Sequence, residues 1–286
     1  MQTDKDKYSA ELAYWCAKDD YLNKRNTYKI AIYKKLRLYV YKGLLSQWTP
    51  EQIAGKLKLE YPNDPIMSIS HESIYRYIYT QPQARLNKKL INLLVREKTR
   101  RRPPKKRRGT GSKIINQISI DSRPKHIHLR EEVGHWEGDL VIGKNHKSAI
   151  GTIVERKTRF TLIIQLKSKK AMEVANEFSK ILNKLNPIYK KTMTYDNGIE
   201  MARHEKITKK TGMKIYFAHP YSSWERGTNE NTNGLIRRYL PKGTDFNQIS
   251  RKQLLNIQEK LNNRPRKIIG YKTPKEMMDN ELKFVA

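Results

Sequence analysis

Cysteine is almost absent from this sequence, since Cys16 is the only one in 286 residues. A single cysteine excludes an internal disulfide and any zinc site built on paired cysteines. The seven histidines show no closely spaced ligand pattern. A metal bound by this chain is therefore expected to be held by oxygen, which favours Mg²⁺ or Mn²⁺.

Long apolar runs are also missing. No uncharged stretch reaches the roughly 18 residues that a membrane-spanning helix needs. The first residues, MQTDKDKYSA, carry acids where a signal peptide has a basic region. We therefore expect a cytoplasmic protein without a membrane partner.

Acidic residues are scarce. The chain has 28 Asp and Glu against 59 Lys and Arg, which gives a net charge of +31. Such an excess repels itself in a compact state and is typical of a protein with a polyanionic partner. Nucleic acid is the first candidate for that partner, and an anionic membrane surface is the second.

The first 95 residues are predicted to form a helical DNA-binding region with a helix-turn-helix at about 48–80. Thr49, Pro50 and Gln52 form a capping box with proline in the first helical position. Ser70 caps a second helix, whose exposed side is predicted to enter the major groove through His71, Ser73 and Arg76. The connector at 60–69 is longer than the usual turn of this motif, so an ordinary helical hairpin is the alternative.

Residues 96–121 are predicted to be a basic linker. The run REKTRRRPPKKRR at Arg96 to Arg108 places nine basic residues and two prolines in thirteen positions. Lysines and arginines along an extended chain displace counterions from a DNA backbone. A solvated spacer is the alternative reading. The predicted phosphate contacts are Arg101, Arg102, Lys105, Lys106, Arg107 and Arg108.

Residues 122–286 are predicted to be an α/β domain with C-terminal helices. Apolar, β-branched runs predict three consecutive strands at 136–143, 149–155 and 160–166. Helices are predicted at 170–185, 199–211 and 251–263, and further strands at 192–195 and 213–218. This order predicts a mixed sheet that is covered on both faces.

Three carboxylates stand out in this domain. Asp139 interrupts an apolar strand, where an unpaired charge needs a partner or a cation. Asp196 ends a strand, although Asp-Asn-Gly is also an ordinary turn sequence. Glu230 lies near the start of a helix, where Asn229 or Asn231 as a cap would give it a merely helix-stabilising role.

Three long motifs surround these carboxylates. They are GHWEGDLVIGKNHKSAIGTIVERKTRF at 134–160, TYDNGIEMARH at 194–204 and WERGTNENTNGLIRRYLPKGTDF at 224–246. With them the chain resembles the DDE transposases and retroviral-type integrases, which have a ribonuclease-H-like core. It is most similar to the IS-thirty (IS30) family of bacterial insertion-sequence transposases.

The resemblance implies a catalytic and metal-binding triad of Asp139, Asp196 and Glu230, and a requirement for Mg²⁺ or Mn²⁺. It implies cleavage at the ends of an insertion sequence followed by strand transfer, with phosphate contacts from Arg237, Asn233 and Arg226. Double-stranded DNA, as element ends and as target, is the implied partner of a nucleoid-associated homo-oligomer. Members of that family usually begin with an additional helix-turn-helix domain ahead of the region that matches here, and we expect this sequence to start beyond it.

Two other functions are compatible with the same residues. A truncated transposase without activity would bind element ends and repress transposition. A nuclease of the ribonuclease H type would cleave without strand transfer. Retention of all three carboxylates favours the transposase over the repressor.

Overall fold

The computed structural model describes residues 28–79, 114–220 and 222–283. The chain divides into two units, Met1–Arg100 and Arg101–Ala286. Residues 1–27 and the arm at 96–108 lie outside the described residues, and so do the phosphate contacts predicted there. Those contacts are Arg101, Arg102, Lys105, Lys106, Arg107 and Arg108.

The described part of the first unit is helical. Its helices are α1 (Lys29–Ile32), α2 (Lys34–Leu45), α3 (Pro50–Glu60) and α4 (His71–Tyr79). The predicted capping box is confirmed, because the Gln52 backbone N–H donates to Thr49 Oγ1 and the Thr49 N–H donates to Gln52 Oε1. The helices share one core, which includes Leu36, Val40, Leu44, Ile53, Leu57, Met67, Ile74, Tyr77 and Ile78.

Helix α4 begins as predicted, since Ser70 Oγ accepts a hydrogen bond from the Ser73 backbone N–H at 3.1 Å. Its outer side carries His71, which is exposed, and Arg76, whose Nε lies 3.6 Å from Glu72. Ser73 is half-buried. Contact of these residues with the major groove stays a prediction.

The second unit is built on a five-stranded mixed sheet in the order β3-β2-β1-β4-β5. The strands are β1 (His135–Ile142), β2 (Ala149–Glu155), β3 (Thr161–Gln165), β4 (Thr192–Tyr195) and β5 (Lys214–Phe217). β1, β2 and β3 form the predicted antiparallel meander, and β4 and β5 add in parallel.

In the described part of this unit, five α-helices accompany the sheet. They are α5 (Ala171–Leu182), α6 (His204–Thr211), α7 (Gly227–Tyr239), α8 (Arg251–Asn262) and α9 (Pro274–Lys283). Side chains along β1 alternate between two cores, as the period of a strand requires. Trp136 and Leu140 share a core with Phe178 of α5, whereas Val141 shares one with Ile236 of α7. The sheet is therefore covered on both faces, as predicted.

The outer edge of β3 is protected by α8. Gln258 Oε1 accepts a hydrogen bond from the Ile163 N–H at 2.9 Å, and Asn262 Oδ1 accepts one from the Thr161 N–H at 2.8 Å. These amides satisfy backbone groups that an exposed edge would offer to another strand.

The predicted linker ends earlier than residue 121. Ile114 and Ile120 are buried against the second unit, and the Phe217 N–H donates to Ile118 O at 2.9 Å. Ile114 and Ile120 of the segment IINQISI supply this packing, whereas Ile115 and Ile118 are exposed. Residues 114–121 thus belong to the sheet unit.

Across the described ranges, none of the helices has the length and apolar character needed to cross a bilayer.

Candidate active site

Two neighbouring parallel strands bring Asp139 and Asp196 together. β1 pairs with β4 in a register that ends at Glu137 opposite Thr194. Two residues further along each strand come Asp139 and Asp196, on the same face as that pair. The site therefore follows from strand register, and the intervening 56 residues include β2, β3, α5 and β4.

Helix α7 lies over this face of β1 and orients Asp139. Asn233 Nδ2 donates to Asp139 Oδ2 at 2.7 Å, and its Oδ1 lies 3.0 Å from the Thr152 hydroxyl. The Leu140 backbone N–H donates to the other oxygen, Asp139 Oδ1, at 2.9 Å. Asn233 was predicted as a DNA contact, and here its amide is committed to the carboxylate.

Glu137 lies on the same face of β1 as Asp139, but its environment is different. It is completely buried, and its carboxylate pairs with Arg156 Nη1 at 2.7 Å. It also accepts a hydrogen bond from the Asn229 backbone N–H at 3.0 Å, while Asn229 Nδ2 donates to Glu137 O. Glu137 therefore holds α7 on the sheet, and its buried carboxylate is not accessible to a substrate.

Arg226 joins the two aspartates. Its Nη1 lies 3.6 Å from Asp139 Oδ1 and its Nη2 lies 3.4 Å from Asp196 Oδ2. The residue stands immediately before α7, whose first residue is Gly227. One guanidinium therefore supplies the positive charge between two carboxylates from different strands.

Burial dominates the electrostatics of Asp139. Desolvation raises the pKa of this carboxyl from 3.8 to about 6, and the negative charge of Asp196 acts in the same direction. The positive charge of Arg226 lowers the pKa and only partly offsets the burial. An ionised Asp139 is thus costly unless a cation lies beside it.

Glu230 occupies the first turn of α7 and is exposed. Among the described residues, only one group of three potential metal-binding side chains has its ligand atoms within 4.8 Å of one another, and that group does not include these carboxylates. The oxygens of Asp139, Asp196 and Glu230 are therefore further apart than this. The predicted asparagine cap is wrong, although Glu230 does lie in the first turn, where a carboxylate favours the helix. Arg226 is the N-cap and makes no side-chain cap hydrogen bond, while Asn229 lies inside the helix against Glu137.

Arg237 lies two turns beyond Glu230 on α7. Its Nη2 donates to Ile142 O at 2.6 Å, and its guanidinium lies 5.8 Å from the centre of the Phe246 ring. Partial burial lowers the pKa of this arginine. Arg237 ties the helix to the end of β1, and its part in binding phosphate stays a prediction.

Three features near the carboxylates or beside β1 were missed by sequence reasoning. Glu200 has a pKa raised by burial and by the charge of Asp196, and its position four residues after Asp196 was the available signal. Trp224 exposes 74% of its surface two residues before Arg226. His126, Glu132 and His135 form a histidine and carboxylate cluster, contrary to the expectation of no histidine ligand set.

The donor set at Asp139 and Asp196 fits a hard divalent cation. Both side chains offer carboxylate oxygens, the ligand type that Mg²⁺ and Mn²⁺ prefer. Both already approach one positive group, the guanidinium of Arg226. Glu230 faces solvent nearby on the covering helix and is the candidate third ligand.

Residues 130–223 match the family model described as "Integrase core domain". That span contains β1 to β5 with Asp139 and Asp196, and it ends seven residues before Glu230. A mixed five-stranded sheet with this match is a ribonuclease-H-like core, as predicted.

Several curated proteins are similar over most of this chain. The transposase for insertion sequence element IS1086 of Cupriavidus metallidurans is 40% identical, over 81% of this chain and 68% of its own length. The transposase for IS4351 of Bacteroides fragilis is 42% identical, over 94% of this chain and 80% of its own. Transposase InsI for IS30A of Escherichia coli is 42% identical, over 85% of this chain and 64% of its own.

Among solved structures, the catalytic core domain of BIV integrase aligns with 54% of this chain and 99% of its own, at 19% identity and a TM-score of 0.40.

Proposed function

This chain belongs to the IS30 family of insertion-sequence transposases, and on that premise we propose how its second unit cuts and joins DNA. It is a DNA transposase with a catalytic core of the polynucleotidyl-transferase type. The observation that carries the proposal is the meeting of Asp139 and Asp196 at one guanidinium, under a helix that also carries Glu230.

Asp139, Asp196 and Glu230 would hold the divalent ion, with Mg²⁺ or Mn²⁺ as the proposed identity. Such an ion would stabilise negative charge on the oxygens of the reacting phosphate. Asn233 keeps Asp139 in place, since its amide fixes one carboxylate oxygen and is itself braced by Thr152. Glu137 acts more remotely by holding α7 on the sheet.

The reaction would proceed in two displacements. Water attacks the phosphate at the element's end, the bond from phosphorus to the 3′ oxygen breaks, and a 3′-hydroxyl is released. That hydroxyl then attacks a phosphate of target DNA, forms a new bond to phosphorus and displaces a target 3′-hydroxyl. Neither step needs an external energy source, because each bond to phosphorus that breaks is replaced by another.

Arg226 would bind the phosphate that reacts. Its guanidinium is already at the two aspartates, and a guanidinium matches the oxygens of a phosphate in charge and geometry. Arg237 would contact a flanking phosphate at the end of β1. The exposed Trp224 ring would offer a stacking surface to an unpaired base near the reacting strand.

The chain would act as a homo-oligomer on double-stranded DNA within the nucleoid. Two element ends must be cut and joined together, and one catalytic unit provides one set of three carboxylates. The arm at 96–108 and the outer side of α4 would supply further DNA contacts.

A strand-transfer assay with pre-cleaved element ends tests this function. A transposase joins the labelled 3′ end to a target plasmid when Mg²⁺ is present. Cleavage of intact ends without joining would indicate a nuclease instead. Binding of ends with neither reaction would indicate a repressor.

A further inference from the structure

A second group of metal-binding side chains lies at the beginning of β1, away from the carboxylates of the proposed active site. It consists of His126, Glu132 and His135, which are separated by five and two residues in the sequence. Each offers one ligand atom, and the three atoms lie within 4.8 Å of one another. No step of the proposed reaction uses them.

The backbone brings these residues together through a reversal of the chain. His126 lies in the 3₁₀ helix Lys125–Leu129, which ends at Arg130 in the left-handed conformation. That turn, with φ of 60°, redirects the chain so that Glu132 returns toward His126 just before β1 begins. His135 is the first residue of β1 and is therefore anchored by the sheet.

The spacing of the ligand atoms suits a tetrahedral ion. Glu132 Oε2 lies 2.9 Å from His135 Nε2 and 3.7 Å from His126 Nε2. Ligand atoms around tetrahedral zinc are about 3.3 Å apart, because the bonds to zinc are about 2.0–2.1 Å long. These two separations bracket that value, and all three ligand atoms lie within 4.8 Å of one another.

His135 is held in the orientation that a metal ligand requires. Its side chain is buried, and Nδ1 lies 2.9 Å from the Thr192 hydroxyl, which leaves Nε2 directed at Glu132. A metal-bound histidine usually has its second ring nitrogen fixed by such a partner. His126 and Glu132 are partly exposed, so an ion can enter from solvent.

The charged groups around the cluster are compatible with a bound cation, because the neighbouring lysines are paired with carboxylates. Lys191 contacts Glu132 Oε1, the oxygen that does not face the histidines. Lys157 is paired with Glu281 at 2.6 Å. Glu131 adds a further negative charge to the same surface depression of the protein.

We propose that His126, Glu132 and His135 bind a transition-metal ion of the Zn²⁺ class, with the fourth coordination position open to water. Two imidazoles and one carboxylate favour Zn²⁺, Co²⁺ or Ni²⁺ over Mg²⁺. The ion would clamp the segment at 125–132 onto the first strand of the catalytic sheet. This inference is independent of the proposed transposition chemistry.

Calorimetric titration of the full chain with Zn²⁺ tests the proposal, in buffer that contains millimolar Mg²⁺. We expect one zinc ion per chain, with binding weakened at least about tenfold in His126→Ala. His146→Ala serves as the matched control, because His146 is exposed and lies outside the cluster. Asp139→Asn is the control for uptake at the catalytic carboxylates.

Co²⁺ gives a second readout, since visible absorption bands report tetrahedral coordination. The bands should appear in wild type, His146→Ala and Asp139→Asn and be absent in His126→Ala and Glu132→Gln. A cooperative thermal melt of each variant in EDTA establishes that the variants are folded. Equal zinc binding by wild type and His126→Ala would overturn the proposal, as would zinc binding lost only in Asp139→Asn.

Discussion

The side chains of α7 differ in whether they contact Asp139. Asn233 contacts the carboxylate directly, whereas Asn231 is exposed on the same helix. We expect Asn233→Ala to lower the rate of DNA cleavage by about 10- to 100-fold, as for other groups that orient a metal ligand. Asn231→Ala should leave it unchanged.

The reason for that loss can be measured by titrating Mg²⁺ at fixed DNA concentration. If Asn233 positions Asp139, the variant needs more Mg²⁺ while its affinity for DNA stays the same. If Asn233 binds phosphate instead, the affinity for DNA falls and the Mg²⁺ requirement does not change.

Burial of Asp139 makes a second prediction at the residue scale. Its pKa is raised from 3.8 to about 6, so the protonated form is favoured in the folded protein. The contribution of this carboxyl to the free energy of unfolding is fully present below the pKa that it has in the unfolded chain. That contribution is lost as the pH rises through the folded-state pKa of about 6. The ionised form at neutral pH therefore destabilises the metal-free fold, by an upper limit of about 3 kcal/mol.

Asp139→Asn removes that cost and keeps an oxygen for the Asn233 amide. In EDTA at pH 7 the variant should melt at a higher temperature than wild type, although it is inactive. The difference should shrink as the pH is lowered from 6 to 4. Identical melting temperatures at every pH would show that the carboxylate carries no such cost.

At the scale of elements, β1 requires a glycine next to its catalytic aspartate. A Cβ on Gly138 would lie 2.4 Å from Cε2 of Tyr195, a buried ring of the neighbouring strand. Gly138→Ala is expected to destabilise the protein by about 1–3 kcal/mol through overpacking. Because the two strands carry Asp139 and Asp196, cleavage should fall as well.

Gly234 provides the matched control. It lies inside α7, and a Cβ there would meet nothing within 4 Å. Gly234→Ala should stabilise the helix by about 0.5–1 kcal/mol. Thermal melts and cleavage rates of both variants check this pair of predictions, and equal effects of the two alanines would contradict the packing described for β1.

Patterns among residues close together in the sequence predicted individual helices and strands well. The capping box at Thr49 and the apolar run that predicts β1 involve residues within a few positions, and both elements are found as expected. The pairing of Arg226 with two aspartates depends on strand register and on how α7 docks. The contacts of Asn233 with Asp139 and the histidine cluster depend on tertiary structure in the same way. Residue spacing alone does not contain that information.

For the whole molecule, net charge is the dominant property. The value of +31 and the arm at 96–108 predict DNA binding that weakens steeply as salt rises. Replacing Lys105, Lys106, Arg107 and Arg108 by glutamine should reduce the slope of log affinity against log salt by about 3. Filter binding or fluorescence anisotropy measures that slope, and an unchanged slope would remove the arm from the DNA interface.

The three carboxylates of the second unit are proposed to act together. We therefore expect that Asp139→Asn, Asp196→Asn and Glu230→Gln each reduce Mg²⁺-dependent cleavage of an element end to background. Glu173→Gln, on α5 at the opposite face of the sheet, is the matched control and should cleave like wild type.

Cleavage of a labelled element end by these four variants, with DNA binding recorded for each, is the most direct test. We expect normal binding by all four and cleavage by Glu173→Gln alone. Wild-type cleavage by any one of the three other variants would contradict the assignment of the active site.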